Sequence, residues 1–178
     1  MKLIGIGGLP ASGKSTLVKE IIKTLGKPKL FKYGLLRGEF YKPNIYVLGT
    51  YDRKFGGTDA LSMAVQPIAE RFLKEMKNKD IVVLYEGDRL YNRSFIQRVK
   101  DAQIDYSFYM VIADPLIIEE RHTTRGDTQS DQWLQGRKTK YAKIYKVFMK
   151  DIMLIKNNNL KELKTNMETI WRDLKNIT

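Results

Sequence analysis

The sequence predicts an α/β fold of three layers, a mostly parallel sheet flanked by helices, and three observations lead to it. Short apolar runs recur that stop at glycine or at an acid, as buried parallel strands do. Between them lie longer stretches whose apolar residues return every three or four positions, the spacing of a helix face. Strand and helix signals alternate along the chain, the pattern of one sheet with helices on both sides. No repeat, low-complexity segment or linker interrupts the alternation, and a length of 178 residues with 43% hydrophobic content suits a single domain over residues 1–178.

Residues 3–6 are apolar and run straight into glycine, which predicts the first buried strand. Residues 14–25 follow as a helix, with Leu17, Val18, Ile21, Ile22 and Leu25 on one face. Residues 30–50 are rich in strand formers, first Tyr33, Leu35 and Leu36, then Ile45, Tyr46, Val47 and Leu48, and Pro43-Asn44 between the runs suggests a hairpin. Thr58 is placed to cap a helix with Leu61, Val65, Ile68, Phe72 and Met76 on its core face, and Pro67 should kink or interrupt it. Residues 81–85 form the clearest buried strand and end in Glu86-Gly87-Asp88-Arg89. A helix over 92–100 and a strand over 106–113 come next, then Asp114-Pro115 as N-cap and first-turn pair. Gly126 and Gly136 bracket a polar stretch, after which Tyr141, Ile144 and Phe148 line one helix face. Residues 152–155 predict a last strand. Asn159 with Glu162 has capping-box spacing for a terminal helix holding Leu160, Leu163, Met167, Ile170, Trp171 and Leu174.

Composition removes several function classes. No run of 18 apolar residues is present, and Met1 to Gly7 pass directly into a motif without a small-residue cleavage site, so a soluble cytoplasmic protein with no membrane association is expected. With no cysteine and only one histidine, disulfides, thiolate metal sites, zinc centres and serine-type triads are excluded. Any catalytic metal must be a hard ion held by oxygen. His122, alone, reads as a surface or lid residue. The formal charge is +12, from 32 basic and 20 acidic residues, and a field of that sign attracts polyanions. It is concentrated: Lys23 to Lys42 hold six basic residues against one acid, Glu39, and Arg137 to Lys150 hold six with none.

Gly8-Leu9-Pro10-Ala11-Ser12-Gly13-Lys14-Ser15-Thr16 matches G-x-x-x-x-G-K-[ST], and it follows a predicted strand and opens a predicted helix, the context that gives the motif meaning. Backbone N–H groups there converge on phosphate oxygens at a helix N-terminus. Lys14 should reach the β- and γ-phosphates and the Ser15 hydroxyl should ligate magnesium, so ATP and Mg²⁺ are the expected cofactors of a three-layer P-loop NTPase fold.

A P-loop alone does not separate kinases from GTPases or motor ATPases. The guanine motif Asn-Lys-x-Asp is absent and the chain is short for a motor core. Present instead is a polar segment, about residues 121–137, with Arg121, Arg125 and Arg137 and with Gly126 and Gly136 as hinges. Guanidiniums on such a lid can neutralise a transferring phosphoryl group. Glu86 and Asp88 stand at a strand end, where open parallel sheets place their ligands: one can serve magnesium and the other can take the acceptor's hydroxyl proton. Asp52 competes for that second role. Asp114 reads as a helix cap, and Asn157-Asn158-Asn159 suits either a base contact or turn-and-cap chemistry.

The P-loop, the Glu86-Gly87-Asp88-Arg89 strand end, Arg121-x-x-x-Arg125 and the strand-Asn-Asn-Asn-helix finish resemble the nucleoside monophosphate kinase-like superfamily across nearly the whole chain. Leu48 to Asp52, Gly56 to Pro67, Arg125 to Gln129 and Gly136 to Lys140 are similar to bacteriophage P-loop kinases of the 5-hydroxymethyluracil DNA kinase type. That resemblance implies transfer of phosphate to the base hydroxymethyl group in phage DNA, a step toward hypermodified bases that evade host nucleases, in the host cytoplasm. DNA carrying a modified pyrimidine is then the partner, and its many phosphates give the basic stretches a use. A base in a duplex must be unstacked to react, so Phe40, Tyr41, Tyr51 and Phe55 are available as aromatic neighbours, although each alone equally suits a sheet or core position. The alternatives are a small-molecule nucleoside or nucleotide kinase and a nucleic-acid-binding P-loop ATPase switch.

Overall fold

The computed structural model describes residues 1–52 and 56–175, so Phe55 lies outside the described residues. Seven strands, β1 (Lys2–Gly8), β2 (Lys29–Tyr33), β3 (Leu36–Tyr41), β4 (Ile45–Leu48), β5 (Val82–Glu86), β6 (Asp105–Ile112) and β7 (Ile152–Lys156), form one sheet in the order β2-β3-β4-β5-β1-β6-β7. The five strands from β4 to β7 in that order are parallel, and β2 and β3 extend the β4 edge as an antiparallel meander. The helices are α1 (Lys14–Lys23), α2 (Val65–Met76), α3 (Arg93–Asp101), α4 (Pro115–Arg125), α5 (Asp131–Phe148) and α6 (Leu160–Lys175).

Alternate side chains of the central strands feed two cores. Leu3, Val83, Tyr85, Phe108 and Met110 pack with Phe72 and Leu73 of α2, Phe95, Ile96 and Val99 of α3, and Tyr141, Ile144 and Phe148 of α5. Ile4, Ile6, Val82, Leu84, Tyr109 and Val111 pack with Leu17, Val18 and Ile21 of α1 and Ile170 and Leu174 of α6. Period-two burial on both faces of parallel strands produces the three layers the sequence predicts. Among the described residues no helix is long and apolar enough to cross a membrane.

Several local expectations fail for physical reasons. The 30–50 segment makes three strands: the added β2 is an edge strand with mostly exposed side chains, so it leaves little burial pattern, while Pro43-Asn44 does turn β3 into β4. Thr58 caps no helix; it opens a single 3-10 turn (Thr58–Ala60), and its hydroxyl donates to the Glu86 carbonyl at 2.8 Å. Pro67 is the third residue of α2, in the first turn where a missing N–H costs no helical bond, so it starts the helix instead of interrupting it. Gly136 is no hinge, because it lies inside α5, whereas Gly126 ends α4 in the left-handed region at φ 61°. The Asp114 side chain does not cap α4 but accepts from Asn158 Nδ2 at 2.6 Å. Asn159 does cap α6, accepting the Glu162 N–H at 3.0 Å, and the Glu162 carboxylate returns to the Asn158 N–H at 2.5 Å.

Candidate active site

The strand order reverses its direction of growth at β1, with β5 on one side and β6 on the other, and open α/β sheets bind ligands outside the strand ends at such a point. β1 leads there into residues 8–16, and α1 begins at Lys14. Gly13 holds φ 96°, and a Cβ on it would stand 2.2 Å from Asn157 Nδ2, so only glycine admits the turn and its neighbour together. No side chain caps the first-turn amides of α1, which leaves them for an anion. The Lys14 ammonium is drawn over the loop, donating to the carbonyls of Gly8 at 2.8 Å and Leu9 at 2.9 Å. The rest of the loop is braced from behind. Asn157, buried at the end of β7, donates Nδ2 to the Ser12 carbonyl at 3.0 Å. Arg121 reaches from α4 to four carbonyls: Ala11 and Ser12, each at 3.3 Å, Asn157 at 2.9 Å and Asn158 at 3.1 Å.

Parallel register sets Ile6 beside Glu86, which brings the end of β5 level with the loop. Glu86 is 2% exposed, and its Oε1 accepts the Ser15 hydroxyl at 2.8 Å. Burial pushes its carboxyl up to about 7, against the opposing pull of Lys14 and the Ser15 hydrogen bond. A hydroxyl and a carboxylate side by side at a phosphate loop are hard oxygen donors that suit magnesium, an ion that takes few protein ligands and keeps water and phosphate oxygens.

Asp88 is held differently. Its carboxylate accepts from Arg137 Nη1 and from the buried Tyr141 hydroxyl, and Lys140 Nζ lies 3.4 Å from Oδ1 and donates to the Asp88 carbonyl at 3.3 Å. It therefore ties β5 to α5. Burial pulls the Lys140 ammonium down and, with the Asp88 charge, pushes the Tyr141 phenol well up. Arg137 also stacks on Trp133, its guanidinium carbon 4.8 Å from the ring centre. Arg125 points to Asp127, whose Oδ2 also meets His122 Nδ1 at 2.8 Å, and these partners outweigh burial and hold the Asp127 carboxyl low. His122 is thus mostly covered, not a surface residue.

The structure brings together Lys14, Ser15, Glu86 and Arg121 around the loop and sets Arg137 on Asp88. Arg125 joins a separate cluster between α4 and α5. Asp52 is exposed and, among the described residues, has no hydrogen-bond or ion-pair partner. Of the aromatic candidates, Tyr41 is 1% exposed with its hydroxyl on Glu39 and Phe40 packs on Tyr46, as sheet and core residues do, whereas Tyr51, half-buried against the α1 side of the core, lies close enough to Glu86 and Asp59 for both charges to act on its hydroxyl. Sequence reasoning missed Asp59, Tyr141 and Trp133, and it named Asn157 and Lys140 without joining them to Ser12 and Asp88. The repeat of four from Trp133 through Arg137 to Tyr141, which puts all three on one helix face, was a usable signal.

A family model described as P-loop Nucleotide Kinase3 matches residues 1–178, the entire chain. The chain belongs to this family. As a P-loop nucleotide kinase it is a nucleotide-binding phosphotransferase. No curated protein matches it. Among solved structures it is similar to a deoxyadenosine kinase from M. mycoides with dCMP and a flexible dCDP bound (16% identity, 100% of each chain, TM-score 0.48). It is also similar to shikimate kinase from Bacteroides thetaiotaomicron (9% identity, 97% of this chain and 98% of that one, TM-score 0.48). A third similar structure is a sugar kinase from Janibacter sp. (10% identity, 98% and 96%, TM-score 0.47).

Proposed function

We propose that this P-loop nucleotide kinase transfers the γ-phosphate of ATP, with Mg²⁺, to the hydroxymethyl group of 5-hydroxymethyluracil within DNA. Residues 8–16 grip the triphosphate, Lys14 and Arg137 offset charge on the transferring group, and Ser15 and Glu86 would hold the metal, which would supply further positive charge to the phosphates. The observation that carries the DNA substrate is a basic groove that begins at the site. A cavity of about 540 Å³ runs between the start of α3 and the side of α5, with Arg93, Lys140 and Lys143 among its lining residues. Lys140 is the residue that also touches Asp88. An open basic face of α5 continues from this groove, with Lys138, Lys143 and Lys146. A free nucleotide needs no such extension, whereas a polymer meets its phosphates beyond the reacting base. The resemblance of four sequence blocks to hydroxymethyluracil DNA kinases supports the same substrate.

The test supplies γ-labelled ATP and three acceptors: DNA with 5-hydroxymethyluracil, the same DNA with thymine, and free hydroxymethyldeoxyuridine monophosphate. Label is expected in the first alone. Binding to DNA should weaken with salt at roughly −0.9 per phosphate contact in log–log form. Replacing Lys140, Lys143 and Lys146 together by glutamine should flatten that slope and raise the KM for DNA. Equal labelling of the free nucleotide, with the triple variant unaffected, makes the enzyme a small-molecule kinase. DNA-stimulated hydrolysis without label transfer makes it an ATPase switch.

A further inference from the structure

Removing a proton from an acceptor hydroxyl needs a carboxylate with an oxygen to spare, fixed in place and reached from solvent beside the phosphate lysine. Glu86 is buried and engaged by Ser15 on the donor side. Both oxygens of Asp88 are occupied by α5, one by Arg137 and the other by Tyr141 with Lys140 close by. A third carboxylate stands with them. Gly57 bridges to Thr50, its N–H donating to the Thr50 carbonyl at 2.7 Å. The following turn is stapled along the end of β5 at two points: the Thr58 hydroxyl on the Glu86 carbonyl, and Asp59 Oδ1 accepting the Arg89 N–H at 3.2 Å. The approach is close, since a Cβ on Gly87 would come within 3.1 Å of the Asp59 carboxyl carbon. Asp59 is nevertheless solvent-exposed, and among the described residues no lysine or arginine forms an ion pair with it.

We propose that Asp59 is the general base for the acceptor hydroxyl, an assignment that rests on the kinase reading above. In the step, the hydroxyl oxygen bonds to the γ-phosphorus while its proton passes to the Asp59 carboxylate. The bond from that phosphorus to the β–γ bridging oxygen breaks, and its electron pair leaves on ADP. Lys14 and Asp88 are both close enough that their charges act on Asp59. The residue as a whole is exposed, but its carboxyl lies against Gly87, and that partial desolvation, together with the Asp88 charge, raises its proton affinity above that of an ordinary aspartate, although Lys14 and the backbone N–H groups of Arg89 and Asp88 oppose the rise. That is the direction a base requires.

The experiment compares wild type, Asp59→Asn, Asp59→Glu and Asp52→Asn in label transfer from ATP to hydroxymethyluracil DNA, with ATP binding followed by calorimetry. The amide keeps an oxygen for the Arg89 N–H and cannot take a proton. Asp59→Asn is expected to lower kcat about 10²- to 10⁴-fold with ATP affinity and thermal unfolding held near wild type, and Asp59→Glu to recover part of that loss. An Asp59→Asn enzyme with at least half the wild-type kcat overturns the assignment, as does one that has lost ATP binding, which would make Asp59 structural. Loss in Asp52→Asn with Asp59→Asn active moves the role to Asp52. If wild type labels only the free nucleotide, the DNA reading fails and the Asp59 comparison is decided on that acceptor. If wild type labels nothing, both fall.

Discussion

Replacing Glu86 by glutamine should stabilise the protein at pH 8 and leave it little changed at pH 4, while abolishing magnesium-dependent transfer. The carboxyl is 2% exposed, and burial raises its pKa from 4.5 to about 7. The folded state therefore binds a proton more tightly than the unfolded chain does. Its contribution to stability is fully present below pH 4.5 and is lost as the pH rises through about 7. At about 1.4 kcal/mol for each tenfold change, the gap between those two values makes the ionised, buried carboxylate cost about 3 kcal/mol at pH 8. Glutamine carries no charge and its amide oxygen can still accept the Ser15 hydroxyl. Urea unfolding of wild type and Glu86→Gln, in EDTA and without nucleotide, should give stabilities that coincide near pH 4, separate between about pH 4.5 and 7, and keep a constant gap above that to pH 8. In thermal unfolding the gap at pH 8 corresponds to about 6–12 °C for a chain of this size. A difference that stays flat across that pH range, or a wild type that gains on the variant as pH rises, refutes the reasoning.

Tyr141→Phe removes one donor to the Asp88 carboxylate and keeps the buried ring, so it should cost about 1.5 kcal/mol, seen as a fall of about 3–6 °C in Tm. An unchanged Tm would mean that Arg137 and Lys140 alone hold Asp88. Arg121→Lys exchanges a fork spanning four carbonyls for a single ammonium and should weaken ATP binding about tenfold by calorimetry; equal affinity would show that the brace does not shape the loop. Lys14→Ala should reduce transfer by orders of magnitude with the circular dichroism spectrum intact. Near-normal turnover by that variant would sink the phosphate-loop mechanism.

What was legible in the sequence follows the distance over which each signal acts. Gly8 to Thr16 is contiguous, and its chemistry depends on backbone angles and one helix end, so the residues name it without help from the fold. Glu86 was legible for a related reason: a buried strand that stops at an acid marks the ligand edge of a parallel sheet. Asp59 was not, because its place depends on a turn pressed against a strand end almost thirty residues later, and no local period announces that meeting. Tyr141 was read only as a core position, yet its ring and its hydroxyl serve two masters, packing in the core while bonding Asp88. Gly136 misled in the opposite direction. Glycine usually punctuates a chain, but here the helix runs through it, sustained by Tyr141, Ile144 and Phe148 further along.

Neither α4 nor residues 131–140 of α5 hold a fully buried side chain, although the second half of α5 is anchored in the core. Such a segment can detach while uncovering only half-buried apolar side chains such as Ile117, Ile118 and Leu134, so its polar contacts contribute much of the free energy of opening it. Its backbone amides should exchange with deuterium well before those of β1, which sits at the centre of the sheet. Those same contacts, Arg121 on the phosphate loop and Arg137 on Asp88, end on the groups that handle substrate. If occupancy of the loop and seating of this arm are coupled through those contacts, the coupling is reciprocal: whatever seats the arm more firmly also tightens binding of what lies beneath it. Turnover in this enzyme would then be paced by how readily a helix that the core does not hold lets go.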